Sequence, residues 1–129
     1  MIIGISHITL IVADMDKTSL FFERIFGAKI VFSSPTAKYL LINDLWVALN
    51  QGESLSEQTY NHIAFKIHDS DIDDYIKRVH DFGFELIQGR TRSEGEGRSV
   101  YFYDYDNHLF ELHSGTLSER LDSYHQVEY

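Results

Sequence analysis

The apolar positions of this 129-residue chain fall into two series that repeat each other. In the first, residues 5 to 12 follow the two-residue period of a strand, with His7, Thr9 and Ile11 on one face, and predict a mostly buried strand. Asp14 or Asp16 caps the helix that follows. Its stripe of Leu20, Phe21, Ile25 and Phe26 recurs at helical spacing and stops at Gly27. Strand-like runs come next at 29–33, 38–42 and 45–50. The second series starts at Asn61 with a strand, then a helix capped by Ser70 and striped by Ile72, Tyr75, Ile76 and Val79, which Gly83 ends. Strands at 84–87, 99–103 and 108–113 follow, the first two separated by a Gly-rich loop at 89–97. Thr116-Leu117-Ser118-Glu119 has the form of a capping box and opens a last helix with Leu117, Leu121 and Tyr124 on one side. Both series read β-α-β-β-β. The expected architecture is one α+β domain over 1–129, with modules at about 1–52 and 58–115 and a C-terminal helix at about 116–125.

The repeat extends to particular residues. His7-Ile8-Thr9-Leu10-Ile11-Val12-Ala13-Asp14 answers to His62-Ile63-Ala64-Phe65-Lys66-Ile67-His68-Asp69, and Asp44 to Gly52 answers to Asn107 to Gly115. In that alignment Glu111 takes the slot of Ala48. Any one histidine at the head of a strand is usually an ordinary structural residue, and His68, His80, His108 and His125 are read so. His7 and His62 differ, because packing gives no reason for histidine to recur at equivalent slots. Glu111 lies inside the apolar run Leu109-Phe110-Glu111-Leu112, where a carboxylate is costly to bury without a partner. If the modules pack as related halves, His7, His62 and Glu111 form a two-imidazole, one-carboxylate metal site with open coordination positions. Such a site suits Mn(II), Fe(II) or Zn(II), and the pattern does not choose among them. By strand parity Trp46 shares the face of Ala48, Ser99, Tyr101 and Tyr103 share another, and His113 lies beside Glu111 as a residue that orients it.

Charge narrows the partners. Twenty acidic against eleven basic residues give a net charge of -9, which disfavours nucleic acid and anionic membranes. Arg90, Arg92 and Arg98 nevertheless cluster, and with the glycines of their loop they suit a small phosphate-like anion. There is no cysteine, so thiolate chemistry and disulfides are out, and a cytoplasmic setting is expected. No stretch is long and apolar enough to span a bilayer.

Ser6-His7-Ile8-Thr9, Tyr60-Asn61-His62-Ile63-Ala64-Phe65, Gly95-Glu96-Gly97-Arg98-Ser99-Val100-Tyr101-Phe102-Tyr103-Asp104 and Asp106-Asn107-His108-Leu109-Phe110-Glu111-Leu112-His113-Ser114-Gly115-Thr116-Leu117 resemble the fosfomycin resistance proteins of the vicinal oxygen chelate (glyoxalase/bleomycin resistance) superfamily. The likeness runs from residue 1 to about Tyr124 and is nearest the epoxide hydrolase branch. It implies the vicinal oxygen chelate fold, a module-exchanged homodimer in which His7 of one chain joins His62 and Glu111 of the other, and Mn(II) bound there. It implies Thr9 as a catalytic residue near the oxirane oxygen and Trp46 and Tyr60 as cavity residues. Arg90, Arg98, Ser99, Tyr101 and Arg120 fall at or near the phosphonate contacts.

One position departs from the hydrolase pattern. Where that branch carries a Glu as general base, within a longer segment, this chain has Ala37 in Pro35-Thr36-Ala37-Lys38-Tyr39. The short segment resembles the thiol transferase branch, with Tyr39 matching a tyrosine there, although that branch's longer C-terminal tail is missing. The expected activity is metal-dependent hydration of the epoxide of fosfomycin or a related phosphonate. The alternatives are addition of glutathione or bacillithiol by a thiol transferase, an Fe(II) ring-cleaving dioxygenase, which would not need the arginines, and a metal-free antibiotic-binding protein. A glyoxalase-type isomerase would want a fourth protein ligand, which Ala48 cannot be.

Overall fold

The computed structural model describes residues 1–87 and 97–125. The chain divides into two compact units, one of Met1–Glu57 with Tyr105–Asn107, the other of Gln58–Asp104 with His108–Tyr129. Among the described residues no helix is long and apolar enough to cross a membrane.

In the first unit β1 (His7–Val12), α1 (Met15–Phe26), β2 (Lys29–Ser33), β3 (Ala37–Ile42) and β4 (Leu45–Gln51) follow in that order. The sheet runs β1-β4-β3-β2, with β1 parallel to β4 and the other pairs antiparallel. Helix α1 starts at Asp14, whose side chain accepts from the Lys17 amide, and stops at Gly27, whose φ of 69° is the left-handed conformation that glycine adopts without strain. Its inward stripe is Met15, Thr18, Ser19, Phe21, Phe22, Ile25 and Phe26. Leu20, expected in that stripe, is 45% exposed, because the helical period brings Phe22 inward in its place. Phe21, Phe22, Ile25, Leu40, Val47 and Leu49 are essentially inaccessible. Burial of each such side chain stabilises the unit by about 1.5 to 3 kcal/mol.

Strand β1, expected to be mostly buried, is buried on one side only. Leu10 and Val12 point into the core, while His7, Thr9 and Ile11 remain exposed in their unit. One face of this sheet packs on α1, and the other carries His7, Thr9, Tyr39, Trp46 and Ala48.

In the second unit β5 (His62–Lys66), α2 (Ile72–Asp81), β6 (Ser99–Tyr103), β7 (Leu109–His113) and α3 (Leu117–His125) follow in order. The sheet is β5-β7-β6, with β5 parallel to β7 and β6 antiparallel to it. The strand expected at 84–87 does not form. A single backbone bridge joins Ile87 to Tyr101, and Phe84 holds the segment by its ring, 5.1 Å from that of Phe102. Ser70 is not a helix cap either. It lies inside a 3-10 turn, Asp69–Asp71, and α2 begins after it with no side-chain cap. The carboxylate of Asp69 is engaged elsewhere, by Arg98 and Ser114. Helix α3 starts as predicted, the Thr116 hydroxyl accepting from the Glu119 amide at 3.1 Å, but Leu117 and Leu121 are exposed and Ser123 is the buried residue.

Candidate metal centre

Strand parity in the second unit collects the polar side chains on one face. The register sets Ala64, Glu111 and Tyr101 in one row and Lys66, His113 and Ser99 in the next, with His62, Leu109 and Tyr103 in a third. Paired residues, and residues two apart, point the same way. The opposite face carries Val100, Phe102, Phe110 and Leu112, all buried.

Glu111 is 3% exposed, and its environment accounts for its presence at that depth. Oε1 lies 2.9 Å from His62 Nε2, the Ser99 hydroxyl donates to Oε2 at 2.5 Å, and His113 Nδ1 is 3.4 Å from the same oxygen. His62 Nδ1 is 2.7 Å from the Tyr60 carbonyl. A carbonyl only accepts, so Nδ1 holds a hydrogen and the neutral ring keeps its lone pair on Nε2. That lone pair faces a carboxylate oxygen. Two acceptors at this separation repel unless a cation, a proton or a metal, stands between them, so the donor set fits a divalent metal.

The surroundings are aromatic and polar. Tyr60 and Tyr101 have hydroxyls 3.2 Å apart, and their rings lie 4.8 and 5.5 Å from that of His62. The Tyr103 hydroxyl donates to the Thr59 carbonyl at 2.7 Å. Arg120 arrives from α3, its Nη2 3.5 Å from His113 Nε2. Strand parity cannot find a residue on a helix, so Arg120 was indicated by resemblance and not by pattern.

His7 belongs to the first unit, where it heads β1 opposite Trp46. The two rings stack at 4.1 Å, and Tyr39 stands edge-on to Trp46 at 5.2 Å. Thr9 is on the same face, opposite Ala48. Ser6 Oγ is 3.0 Å from His7 Nδ1. The buried Trp46 Nε1 has no hydrogen-bond partner among the described residues, which leaves an indole donor on this side of the sheet.

Arg98, expected at or near the phosphonate contacts, is hydrogen-bonded within the chain. Its Nε and Nη2 donate to Asp69 at 3.0 and 3.3 Å, and Nη2 also donates to the Asp69 carbonyl at 3.0 Å. The physical reason is again parity: Arg98 adjoins Ser99 and points the other way, toward the start of α2. The hydrogen bonds of Arg98, then that of Ser114, hold the Asp69 carboxyl below its ordinary value, and Asp69 raises that of Arg98. Beside this clamp Gly97 has φ 81°, and a Cβ there would fall 2.5 Å from the Gly115 nitrogen, so only glycine fits. Arg90, Arg92 and most of the Gly-rich loop lie outside the described residues.

The turn between β6 and β7 carries a further group of ligand-type side chains, Asp104, Asp106 and His108. These carboxylates are bound to protein donors, some near in sequence and some far. Asp104 accepts from the amide and Nδ1 of His108, each at 2.8 Å, and Asp106 accepts from the Ala13 amide at 2.9 Å and from the Ser54 hydroxyl.

Comparison with known proteins adds to this geometry. A profile of the Glyoxalase/Bleomycin resistance protein/Dioxygenase superfamily matches residues 4–112. The chain is 55% identical to the fosfomycin resistance protein FosX of Listeria innocua, over 98% of this chain and 100% of that one. It is 37% identical to the metallothiol transferase FosB of Bacillus licheniformis, over 95% of this chain and 82% of that one. Among solved structures, a mutant FosX of Listeria monocytogenes complexed with Mn(II) and 1S,2S-dihydroxypropylphosphonic acid superimposes with a TM-score of 0.93 at 53% identity, covering 97% of this chain and 100% of that one.

Proposed function

Because the chain belongs to the Glyoxalase/Bleomycin resistance protein/Dioxygenase superfamily and shares more than half its residues with a fosfomycin resistance protein over nearly its whole length, we propose that it opens the epoxide of fosfomycin, or of a related small phosphonate, by metal-dependent hydration. The observation that carries this reading is the pair of acceptors, His62 Nε2 and Glu111 Oε1, 2.9 Å apart on a face lined with hydroxyls and reached by an arginine. The phosphonate found with Mn(II) in the Listeria monocytogenes relative is a diol, which is what an epoxide becomes when water adds.

In this reading His7, His62 and Glu111 hold the metal, Mn(II) as in that relative. When bound, the metal supplies Lewis acidity to the oxirane oxygen. The chain's own residues do the rest. Arg120 and the Tyr101 hydroxyl receive the phosphonate and hold the oxirane in line for attack, with Arg90 as a further anion contact. Thr9 supports the developing alkoxide, while Trp46 and Tyr60 wall the cavity. Ser99, whose one hydrogen points at Glu111, serves the carboxylate. Arg98 is left out of the anion site because its guanidinium is engaged by Asp69. The domain is 1–129, with its two modules exchanged in a homodimer so that His7 of one chain completes the site of the other. Its net charge of -9 disfavours nucleic acid and anionic membranes as partners, and the absence of cysteine suits the cytoplasm.

Ala37 favours a second reading. A water nucleophile gains from a general base, and the hydrolase pattern puts a Glu where this chain has Ala37, so addition of a thiol stands as the rival, in keeping with the FosB likeness. Mass spectrometry of fosfomycin incubated with the Mn(II)-loaded protein, with and without glutathione or bacillithiol, decides. A gain of water supports hydration, a thiol adduct supports transfer, and unchanged fosfomycin refutes both. Shared sites are tested by pairing a His7→Ala chain with a Glu111→Ala chain. One site of the mixed dimer then collects both lesions and the other none, so activity returns, and an inactive mixed dimer overturns the exchange.

A further inference from the structure

The second unit contains a run of four polar groups whose hydrogen-bond directions can be assigned from one end to the other. A guanidinium only donates, so Arg120 Nη2, 3.5 Å from His113 Nε2, makes that nitrogen an acceptor. The ring hydrogen of a neutral His113 then sits on Nδ1, 2.7 Å from Ser99 Oγ. Ser99 receives it and turns its own single hydrogen to Glu111 Oε2, 2.5 Å away. With Oε2 so held, Oε1 is the oxygen that faces His62 Nε2.

We infer that His113 is a positioning residue: it fixes the direction of these hydrogen bonds, so that Glu111 is presented to a divalent metal through Oε1, and on its other nitrogen it steadies Arg120 for an anion. The inference deepens the function proposed above and rests on it. A carboxylate at the end of two rotatable bonds can turn either oxygen, or both, toward a cation. Ser99 by itself does not prevent this, because a hydroxyl hydrogen rotates. The imidazole removes the choice, since a donor aimed at Ser99 Oγ leaves the hydroxyl's hydrogen to Glu111. Only a side chain with a donor at one end and an acceptor at the other can serve both neighbours, and a neutral imidazole is such a group. The same row in the first unit contains no such relay: Asn50 stands there between Ile11 and Ala37.

The test separates the two ends of the ring. An Asn side chain reproduces roughly the position of Nδ1 and a Gln that of Nε2. Mn(II) affinity, read from the electron paramagnetic resonance of the free ion, and affinity for inorganic phosphate in the Mn(II)-loaded protein are measured for wild type, His113→Phe, His113→Asn, His113→Gln and Glu111→Ala. Each variant is first shown to melt cooperatively. His113→Phe should lose about 10- to 100-fold in Mn(II) affinity, the usual effect of removing a group that orients a ligand. His113→Asn should restore Mn(II) binding but not phosphate binding, and His113→Gln the reverse. Nitrogen-15 spectra of the metal-free protein should show the His113 hydrogen on Nδ1. A hydrogen on Nε2, wild-type Mn(II) affinity in His113→Phe, or no difference between the Asn and Gln variants overturns the relay. Glu111→Ala keeps the failures apart. If it binds Mn(II) as wild type does, the site itself is wrong and the relay falls with it. If it loses the metal while His113→Phe does not, the relay alone falls.

Discussion

The two modules have the same frame and carry different side chains on it. In both, the first strand pairs in parallel with the last, and the register is equivalent: His7 opposite Trp46 and Thr9 opposite Ala48 in one, His62 opposite Leu109 and Ala64 opposite Glu111 in the other. The antiparallel neighbours match as well, Tyr39 with Ala48 and Ala37 with Asn50 against Tyr101 with Glu111 and Ser99 with His113. Slot for slot, the second module has Glu111, Ser99 and His113 where the first has Ala48, Ala37 and Asn50. The first module keeps its histidine and stacks it on Trp46, with Tyr39 against Trp46 and Phe32 against Tyr39. The sheet thus fixes which positions share a face, and a few residues decide whether a carboxylate with its hydrogen-bond partners or a histidine among aromatic rings stands there.

The comparison breaks most completely if the second module is made like the first. Glu111→Ala copies Ala48 into its slot, and Mn(II) affinity should fall by more than the roughly 10- to 100-fold expected for a merely orienting residue. Elemental analysis after dialysis checks this, and unchanged metal content would mean that the two modules do not differ in the way argued.

The converse change adds a carboxylate to the first module. Ala37 opens β3 with its amide and carbonyl both bound to Ser34, so its backbone is well held. If hydration is limited by the absence of a base, Ala37→Glu should raise the rate toward the roughly 10²- to 10⁴-fold that a general base contributes, and add a carboxylate-like limb to the pH profile. Stopped-flow or product assays across pH read both effects. A rate and profile identical to wild type would show that this slot does not reach the nucleophile.

The two arginines sharpen the comparison within the second module. Arg120→Ala should weaken phosphonate binding by about 10- to 150-fold, the loss of one charge-assisted contact. Arg98→Ala should leave that affinity near wild type, because Arg98 is bound to Asp69 on the other side of the chain. Calorimetric titration with fosfomycin separates them, and equal losses would put both guanidinia in the anion site.

The smallest effect concerns the clamp itself. Arg98, and after it Ser114, hold the Asp69 carboxyl below the ordinary value of 3.8. A carboxyl depressed in the folded state adds stability above its unfolded value and loses it as pH falls through the folded one. The small stability difference between wild type and Asp69→Asn should therefore persist from neutral pH down to about the ordinary aspartate value, then shrink in more acid solution. Urea midpoints along a pH series test the sign. A difference that grows on acidification would contradict the assignment.

Much of this arrangement was legible in the order of residues. The recurrence of histidine at matching slots, the substitution of Glu111 for Ala48, and the grouping of Ser99, Tyr101 and His113 with Glu111 all follow from a two-residue period, and parity in a strand depends on local geometry alone. The helix ends at Gly27 and Thr116 were legible for the same reason: a left-handed cap and a hydroxyl cap are made within one turn of chain. Other features depended on residues far apart. Ser70 is a good cap by type, but Asp69 is drawn to Arg98 and Ser114, and the turn closes in 3-10 form. Residues 84–87 have the composition of a strand, yet only Ile87 gains a ladder partner. Arg98 lies next to Ser99 in sequence and faces away from it, while Arg120, seven residues beyond His113, comes within 3.5 Å of it from a helix. The sequence by itself determined which side chains share a face. The tertiary structure decided which charge meets which, because a long side chain takes the partner that folding brings within reach, and that choice is made across the chain and not along it.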